Sequence, residues 1–531
     1  MCFTIKYNSK KHMEGFNMSN EELKKLLEKK QKEMKKNPKT EVRKFCADEK
    51  ENIVHGSNIA AYADKLPSRY LQELEGRLEL IKHRIEHYTT DDSGNIDCFL
   101  DVFGDYVIYN EDRGKYYYWT GLLWHEDKGK KIELWVQTAM RMRRDLTLKK
   151  LKKLDDDDLS RRLEAHAKGC CNMRSIKAVL EGAKAQLSHS DKLFDRKPYL
   201  LNVLNGIIDL RDGSLRSHNR KEYITKLVPV KYKKDAKIQT FMKFLEDTFS
   251  EEELIDYIQR LLGYCLSGET REQVIHFWVG NGANGKSTLI LLLQFILQSY
   301  AAVIPSKVLV SAERAGAPTS EIAQLPHKRL VCCSELNCDD VLNEGRIKIL
   351  SSGETLAARE LRCPAFTFEP EFKCIIDTNY LPIINGTDHG IWRRIRVVPF
   401  KYTVDKKKIN KNLLKELKSE KEAILSWIVQ GAVKYYKDGL EPCDEIVKET
   451  KRYRSSQDTL GSFIDSCVRK ENGSAVRARE LYDAYKTYCN DNFLTPMSET
   501  KFGKDLARMG FKKAKDKVSR KYIDIKLKAI G

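Results

Sequence analysis

Nine consecutive residues, Gly280, Asn281, Gly282, Ala283, Asn284, Gly285, Lys286, Ser287 and Thr288, have the side chains and spacing that a triphosphate site needs. Glycines let successive backbone N–H groups turn inward around a phosphate. Lys286 would bring a compact positive charge to the β- and γ-phosphates, and Ser287 a hydroxyl for magnesium, as in the phosphate-loop pattern GxxxxGK[ST]. Three other places offer complementary chemistry. Glu335 ends the apolar run Arg329-Leu-Val-Cys-Cys-Ser-Glu335. A carboxylate at such a strand end can orient an attacking water and support magnesium. Only one acid stands there, so Glu335 is read as serving both roles, with Ser334 helping to hold the metal's waters. Asn379 follows the run Phe372–Asp377 and Thr378. Its amide could sense the γ-phosphate, although Asn after a strand is also ordinary turn chemistry. Arg393, Arg394 and Arg396 lie in DHGIWRRIRVVPF. Spacing leaves two readings open: a finger reaching a neighbouring subunit's nucleotide, or surface arginines paired with carboxylates.

The elements that must position these groups can be read from periodicity. Gln273–Val279 is apolar and β-rich, as a buried strand would be, and the helix after the loop is apolar on nearly every face. Its positive end would point at the same phosphates. From 273 to about 400, strand and helix patterns alternate, which predicts a parallel sheet. Helices are expected over 236–267 and from 407 to about 455. The segment ETLAARELRCPAFTFEPEF predicts a hairpin whose tip carries Arg359, Glu360 and Arg362, closed at Pro364. Upstream, VIYNEDRGKYYYWTGLLW is hairpin chemistry, and YLLNVLNGIIDLRDGSLRSH reads as two short strands turned at Arg211-Asp212-Gly213. Asp155 to Asp158 suit the start of a helix. A metal site from that run is a poor reading, because consecutive carboxylates do not converge on one point.

The C-terminal stretch 501–531 holds 11 Lys plus Arg against 3 Asp. A helix over Arg477–Asn490, a turn, a second helix capped by Ser498 and a basic hairpin are predicted there. Lys501, Lys504 and Arg508 recur on one face of the second helix. Helix, turn, helix and wing are a DNA-binding layout, although such modules also bind proteins. Residues 1–50 hold 14 basic and 8 acidic side chains. Within them SNEELKKLLEKKQKEMKK predicts an amphipathic helix with Ser19 and Glu22 as a capping box.

The chain has 531 residues, room for about three or four domains, and a formal net charge of +19 with 41% hydrophobic residues. That composition excludes a mostly disordered chain and suits a polyanionic partner. No run approaches the ~18 apolar residues of a membrane span, and the N-terminal MCFTIKYNSKKHMEG has no apolar signal core. The 14 cysteines include no CxxC pair, and free thiols in a reducing compartment are expected. A soluble intracellular protein without a membrane partner is the resulting expectation.

With these motifs in order, the sequence resembles helicase superfamily 3, in the branch shared by poxvirus primase-helicases and phage or plasmid replication primases. The resemblance rests on the GxGxNGKST loop, SEL at Ser334–Leu336, KILSSGETLAAR from Lys348 to Arg359, DTNYLP, and DHGIWRRIRVVPF. NVLNGIIDLRDGSLRSHNRKEYITK and ENGSAVRARELYDAYKTYC add matches outside the motor. It implies an α/β fold: an AAA+-type P-loop ATPase core with an α+β N-terminal domain and a C-terminal winged-helix module. The expected division is a basic helical region at 1–90, the α+β domain at 91–235, the helicase domain at 236–455 and the winged helix at 456–531. It also implies a homo-hexameric ring with ATP and Mg2+ between neighbours. Lys286, Ser287, Glu335 and Asn379 would act on one side and an arginine of the next subunit on the other, Arg394 first and Arg393 in reserve. Ser287 and Glu335 would hold the magnesium. Members move along single-stranded DNA 3′ to 5′ and separate forked DNA. From the residues themselves, Lys348, Arg359 and Arg362 would line the pore of such a ring, with a solvent-facing hairpin as the alternative. Residues 1–90 are too short and lysine-rich for a primase domain, so no primer synthesis is expected and a separate primase is a partner. The expected location is the cytoplasm of a bacterial host or a viral replication site. The alternatives are an origin-binding initiator whose assembly ATP controls, and a small-molecule kinase or signalling NTPase, which would have no use for the basic hairpin and tail.

Overall fold

The computed structural model describes residues 81–528, apart from 82, 86, 152–156, 311–319, 335, 338, 360, 363–364, 385–388, 405–409, 493, 495 and 516–519. The expected helix with Ser19 and Glu22 lies outside these residues. So do Asp155, Asp156, Glu335, Glu360 and Pro364.

Helix α1, Asp92–Phe103, starts at Asp91, whose carboxylate accepts the N–H of Gly94. Short polar side chains favour this position because they satisfy an otherwise orphaned donor. The aromatic-rich run folds as the expected hairpin of β1, Val107–Asn110, and β2, Lys115–Trp119, with β3, Trp124–Glu126, alongside. Helices α2 (Lys131–Leu151), α3 (Asp157–Gly169) and α4 (Met173–Leu187) follow, and β4 (Ser188–His189) joins β1 in parallel. Phe99, Val102, Trp135, Val136 and Val179 form the core between them.

The next segment has three strands where two were expected: β5 (Leu200–Val203), β6 (Gly206–Asp209) and β7 (Ser214–Arg216). A second tight turn at Leu204-Asn205 pairs Val203 with Gly206. Asn205 is a residue type that turns favour, and a Cβ on Gly206 would lie 2.3 Å from the Arg216 carbonyl oxygen. The helical pattern expected over 236–267 is two helices, α5 (Thr240–Phe249) and α6 (Glu252–Leu266), broken where Ser250 adopts φ 54°.

The sheet that follows is built from β8 (Ile275–Val279), β9 (Ala301–Pro305), β10 (Leu330–Ser334), β13 (Lys373–Thr378) and β14 (Ile395–Pro399). Helix α7, Lys286–Leu297, follows β8. Between β10 and β13 come α8 (Glu344–Ser352) and the antiparallel pair β11 (Leu356–Arg359) and β12 (Ala365–Phe368). Strand order is β14-β8-β13-β10-β9, and every neighbouring pair is parallel. Both faces are covered, which is why these strands read as nearly continuous apolar runs. On one face Trp278, Cys332, Ile375 and Val398 pack with Leu289 and Leu293 of α7. On the other, Phe277, Val331 and Ile376 pack with Ile347 and Trp392.

Two buried cations sit at the amino ends of these strands. Arg329 donates to the Leu200 carbonyl at 2.6 Å and lies 4.6 Å from the Tyr300 ring. Lys373 donates to the carbonyls of Ser267 and Glu269, and burial pushes its pKa down to about 7. They fasten β5 and the end of α6 to the sheet. Helix α9, Lys421–Asp438, crosses α6 so closely that a Cβ on Gly263 would lie 2.0 Å from the Ala432 nitrogen.

Helices α10 (Asp444–Gln457) and α11 (Thr459–Cys467) lead into the last core. There β15 (Val468–Arg477), α12 (Ala478–Asp491), α13 (Glu499–Arg508), β16 (Lys513–Lys515) and β17 (Arg520–Leu527) enclose Phe463, Tyr485 and Phe502. The expected second helix and basic hairpin are present, and Ser498 accepts the N–H of Lys501 as the cap. Strand β15 was not expected. It pairs with β17 at the other edge, and only Val468 and Val476 of its ten residues are buried.

Candidate functional site

Residues 280–285 turn the chain from the carboxyl end of β8 into α7. Gly282, Ala283 and Gly285 all take positive φ, at 92°, 48° and 86°. A Cβ at Gly280 would fall 2.2 Å from Asn284 Nδ2 and 2.4 Å from the Phe400 carbonyl oxygen. At Gly285 it would fall 2.9 Å from the Phe244 ring. The glycines therefore let the loop lie tight against β14 and α5. Asn284 is buried, and its amide donates to the Phe400 carbonyl at 3.4 Å.

Lys286 opens α7 with its side chain only 4% exposed. Its ammonium donates to the Gly280 carbonyl at 2.6 Å, Asn284 Oδ1 at 3.2 Å and Asn379 Oδ1 at 3.3 Å. Asp377 Oδ1 is 4.0 Å away. Burial lowers the Lys286 pKa and the Asp377 charge opposes that shift. Ser287 Oγ donates to Asp377 Oδ2 at 3.2 Å. The structure thus gathers Lys286, Ser287 and Asn379, although Asn379 is 93 positions from Lys286. Thr288 lies in the first turn of α7, and Gly280, Asn281, Gly282, Ala283 and Gly285 form the loop. Asp377 was missed by the sequence reading. The available signal was an acid two positions before Asn379, directly after the apolar stretch Cys374-Ile375-Ile376.

The arginines divide. Arg394, the first choice of finger, is 9% exposed and donates to the Gly390 carbonyl at 2.6 Å. Arg393 is exposed and its guanidinium donates to Gln273 Oε1 at 3.0 Å. With Arg396, Lys451 and Arg454 it lines a cleft of about 230 Å³ floored by Trp392, Pro442 and Val447. This cleft is at the amino end of β14, where Ile395 pairs with Ile275. The glycine loop is at the opposite end of the same strands, after Val279.

Hairpin β11–β12 pairs Arg359 with Ala365. Arg359 and Arg362 are exposed, Arg362 turns with φ 63°, and Leu361 between them is 68% exposed. Lys348 is half-buried on α8. The Arg113 guanidinium, held by Asp191 at 2.7 Å, lies 5.6 Å from the Phe366 ring of β12. On α13, Lys504 and Arg508 are exposed and Lys501 is half-buried. Arg508 pairs with Asp505 at 3.1 Å, while Phe502 and Leu506 face the core. The ten described cysteines are all free thiols. No helix among the described residues is long and apolar enough to cross a membrane.

Comparison with known proteins adds a second line. Residues 97–250 match the family described as D5 N terminal like, and 455–528 that described as poxvirus D5 protein-like. Residues 278–394 match a family of unknown function, DUF5906. A protein with a helicase name from Acanthamoeba polyphaga mimivirus is 28% identical over 323 residues, covering 56% of this chain and 34% of that protein. One with a primase name from African swine fever virus is 27% identical over 325 residues, again covering 56% and 34%. One with a helicase name from Frog virus 3 is 25% identical over 280 residues, covering 48% and 28%. The alignments thus span about a third of these relatives' length. Among solved structures, the apo C-terminal region of NrS-1 is similar with a TM-score of 0.46 and 12% identity, covering 79% of this chain and 95% of that one.

Proposed function

From the premise that the chain belongs to the poxvirus D5-like primase-helicase branch of helicase superfamily 3, we propose that it is an ATP-driven DNA helicase acting in replication. The observation that carries this reading is the buried Lys286, which meets Asn379 and lies beside Ser287 and Asp377 at the carboxyl ends of a parallel sheet. Open parallel sheets bind ligands at that end.

In this proposal the core is an AAA+-type P-loop ATPase. The loop amides and the amino end of α7 hold the β-phosphate. Lys286 exchanges its Gly280 and Asn284 partners for phosphate oxygens. Asn379 moves with it to the γ-phosphate, and Glu335 orients the attacking water. The residues present suit magnesium, since Ser287 and the Asp377 carboxylate are oxygen donors of the kind that ion takes. Bound there, it would neutralise charge developing on the transferred phosphoryl group. The exposed Arg393, at the far end of β14, cannot serve the chain's own nucleotide and is assigned to a neighbour's, in preference to the buried Arg394. Subunits then form a ring, the hexamer of the resemblance. In it, hairpins β11–β12 and the Lys348 helices face single-stranded DNA, tracking phosphates without reading sequence. The C-terminal helices and three-stranded sheet act as a winged-helix DNA contact through Lys501, Lys504 and Arg508.

Lys286→Ala should abolish ATP turnover and fork unwinding, measured by phosphate release and strand displacement. Normal turnover in that variant would overturn the reading. The cationic α13 face also suits an origin-binding initiator. Retention on one duplex sequence at high salt, without unwinding of origin-free forks, would favour that alternative.

A further inference from the structure

We infer that Asp377 supplies the second carboxylate of the magnesium site, in place of an acid missing from the end of β10. This rests on the ATPase reading above. In the sequence Ser334, the last residue of β10, is followed by one acid, Glu335, where a pair would divide the work of holding the metal and orienting the water. Asp377 is the in-register partner of Ser334 on the adjoining strand, and its partner on the other side is Trp278 of β8. It therefore occupies the row between β8, which feeds the glycine loop, and β10, which ends at Ser334.

Side chains along one strand alternate between faces. Ile375, two positions earlier, packs on the α7 face. Asp377 points the same way and reaches the start of α7, with Oδ2 3.2 Å from Ser287 Oγ and Oδ1 4.0 Å from Lys286 Nζ. Ser287 carries the hydroxyl that the loop pattern assigns to magnesium. A carboxylate already hydrogen-bonded to that hydroxyl is within a water's reach of the same ion. Magnesium keeps several waters and takes only one or two protein carboxylates beside phosphate oxygens, so a single acid in this position suffices. Without nucleotide, Asp377 balances the buried Lys286 charge. With the triphosphate bound, Lys286 turns to phosphate, and Asp377 is left facing the metal and its waters.

The test is an equilibrium titration of the full chain with a fluorescent ATP analogue, in EDTA and in Mg2+, with melting curves of each variant alongside. The wild type should bind more tightly in Mg2+. Asp377→Asn should keep its affinity in EDTA but lose about 10- to 100-fold of the Mg2+-dependent gain, the usual cost of losing a group that orients a metal's ligands. Adding Ser334→Asp to that variant should restore part of the gain by returning an acid to the neighbouring row. Asp377→Asn retaining the full gain would overturn the inference, as would equal weakening in EDTA and Mg2+, which marks a purely structural partner of Lys286. A wild type that binds the analogue in neither buffer would sink the ATPase reading itself, and the inference with it.

Discussion

Arg393 and Arg394 are adjacent in sequence and opposite in environment. Arg394 is enclosed and its guanidinium fastens the Gly390 carbonyl, while Arg393 faces the cationic cleft. Arg394→Ala should cost about 1–3 kcal/mol, the price of leaving a buried polar group unmatched, read as a lower urea midpoint. Arg393→Ala should leave stability within about 0.5 kcal/mol yet reduce ATP turnover by about a thousandfold or more. Mixing Arg393→Ala with Lys286→Ala protein should recover part of that turnover, because each variant retains the half-site the other lacks. Spacing could not separate the two arginines, since the difference is one of burial and depends on where the short helix His389–Trp392 meets the sheet. Lys286 and Ser287 were legible because the loop that presents them is local. The Ser287–Asp377 contact joins residues 90 apart, and nothing local announces it.

In the proposed helicase the hairpin β11–β12 is the element that bears most directly on DNA. Each exposed cation that neutralises a phosphate of a single strand adds about 0.7 to the slope of log affinity against log salt. Arg359→Glu with Arg362→Glu should weaken single-stranded DNA binding and flatten that slope by about 1.4, two such contacts. Fluorescence anisotropy across a salt series reads both. An unchanged slope would remove the hairpin from the DNA path. This element was legible because both arms are rich in apolar and aromatic residues around a charged tip. Others were not. The break between α5 and α6 depends on a serine with positive φ, which composition does not signal. Strand β15 buries only its ends, so its middle reads as a polar loop, and it exists because β17 offers an edge to pair with. The turn that makes β5 and β6 separate strands was signalled by Asn205.

Across the whole molecule, His327 links two regions. Its Nδ1 lies 3.2 Å from Glu371 Oε1, just before β13, and 3.9 Å from Asp195 Oδ2, which also accepts the Thr225 hydroxyl. Burial opposes the charged ring, as does nearby Lys226, but the Glu371 hydrogen bond and the charges of Asp195 and Glu371 outweigh them and raise the pKa. The charged ring therefore stabilises the fold fully below its unfolded value of about 6.5, and that contribution disappears as pH rises through the higher folded value. Thermal melts from acid to alkaline pH should show wild type most ahead of His327→Gln at the acid end, with the gap closing as pH rises. Placement of the glycine loop and the Arg393 cleft at opposite ends of β8 and β14 has a consequence for assembly. In the proposed assembly these two half-sites lie at opposite ends of the strands, so a head-to-tail contact sets the one against the other. Such a contact is heterologous: it repeats until it closes on itself or runs on as a filament. On the proposed reading a lone subunit leaves its pocket unfinished, and turnover requires the neighbour that a ring or a filament supplies.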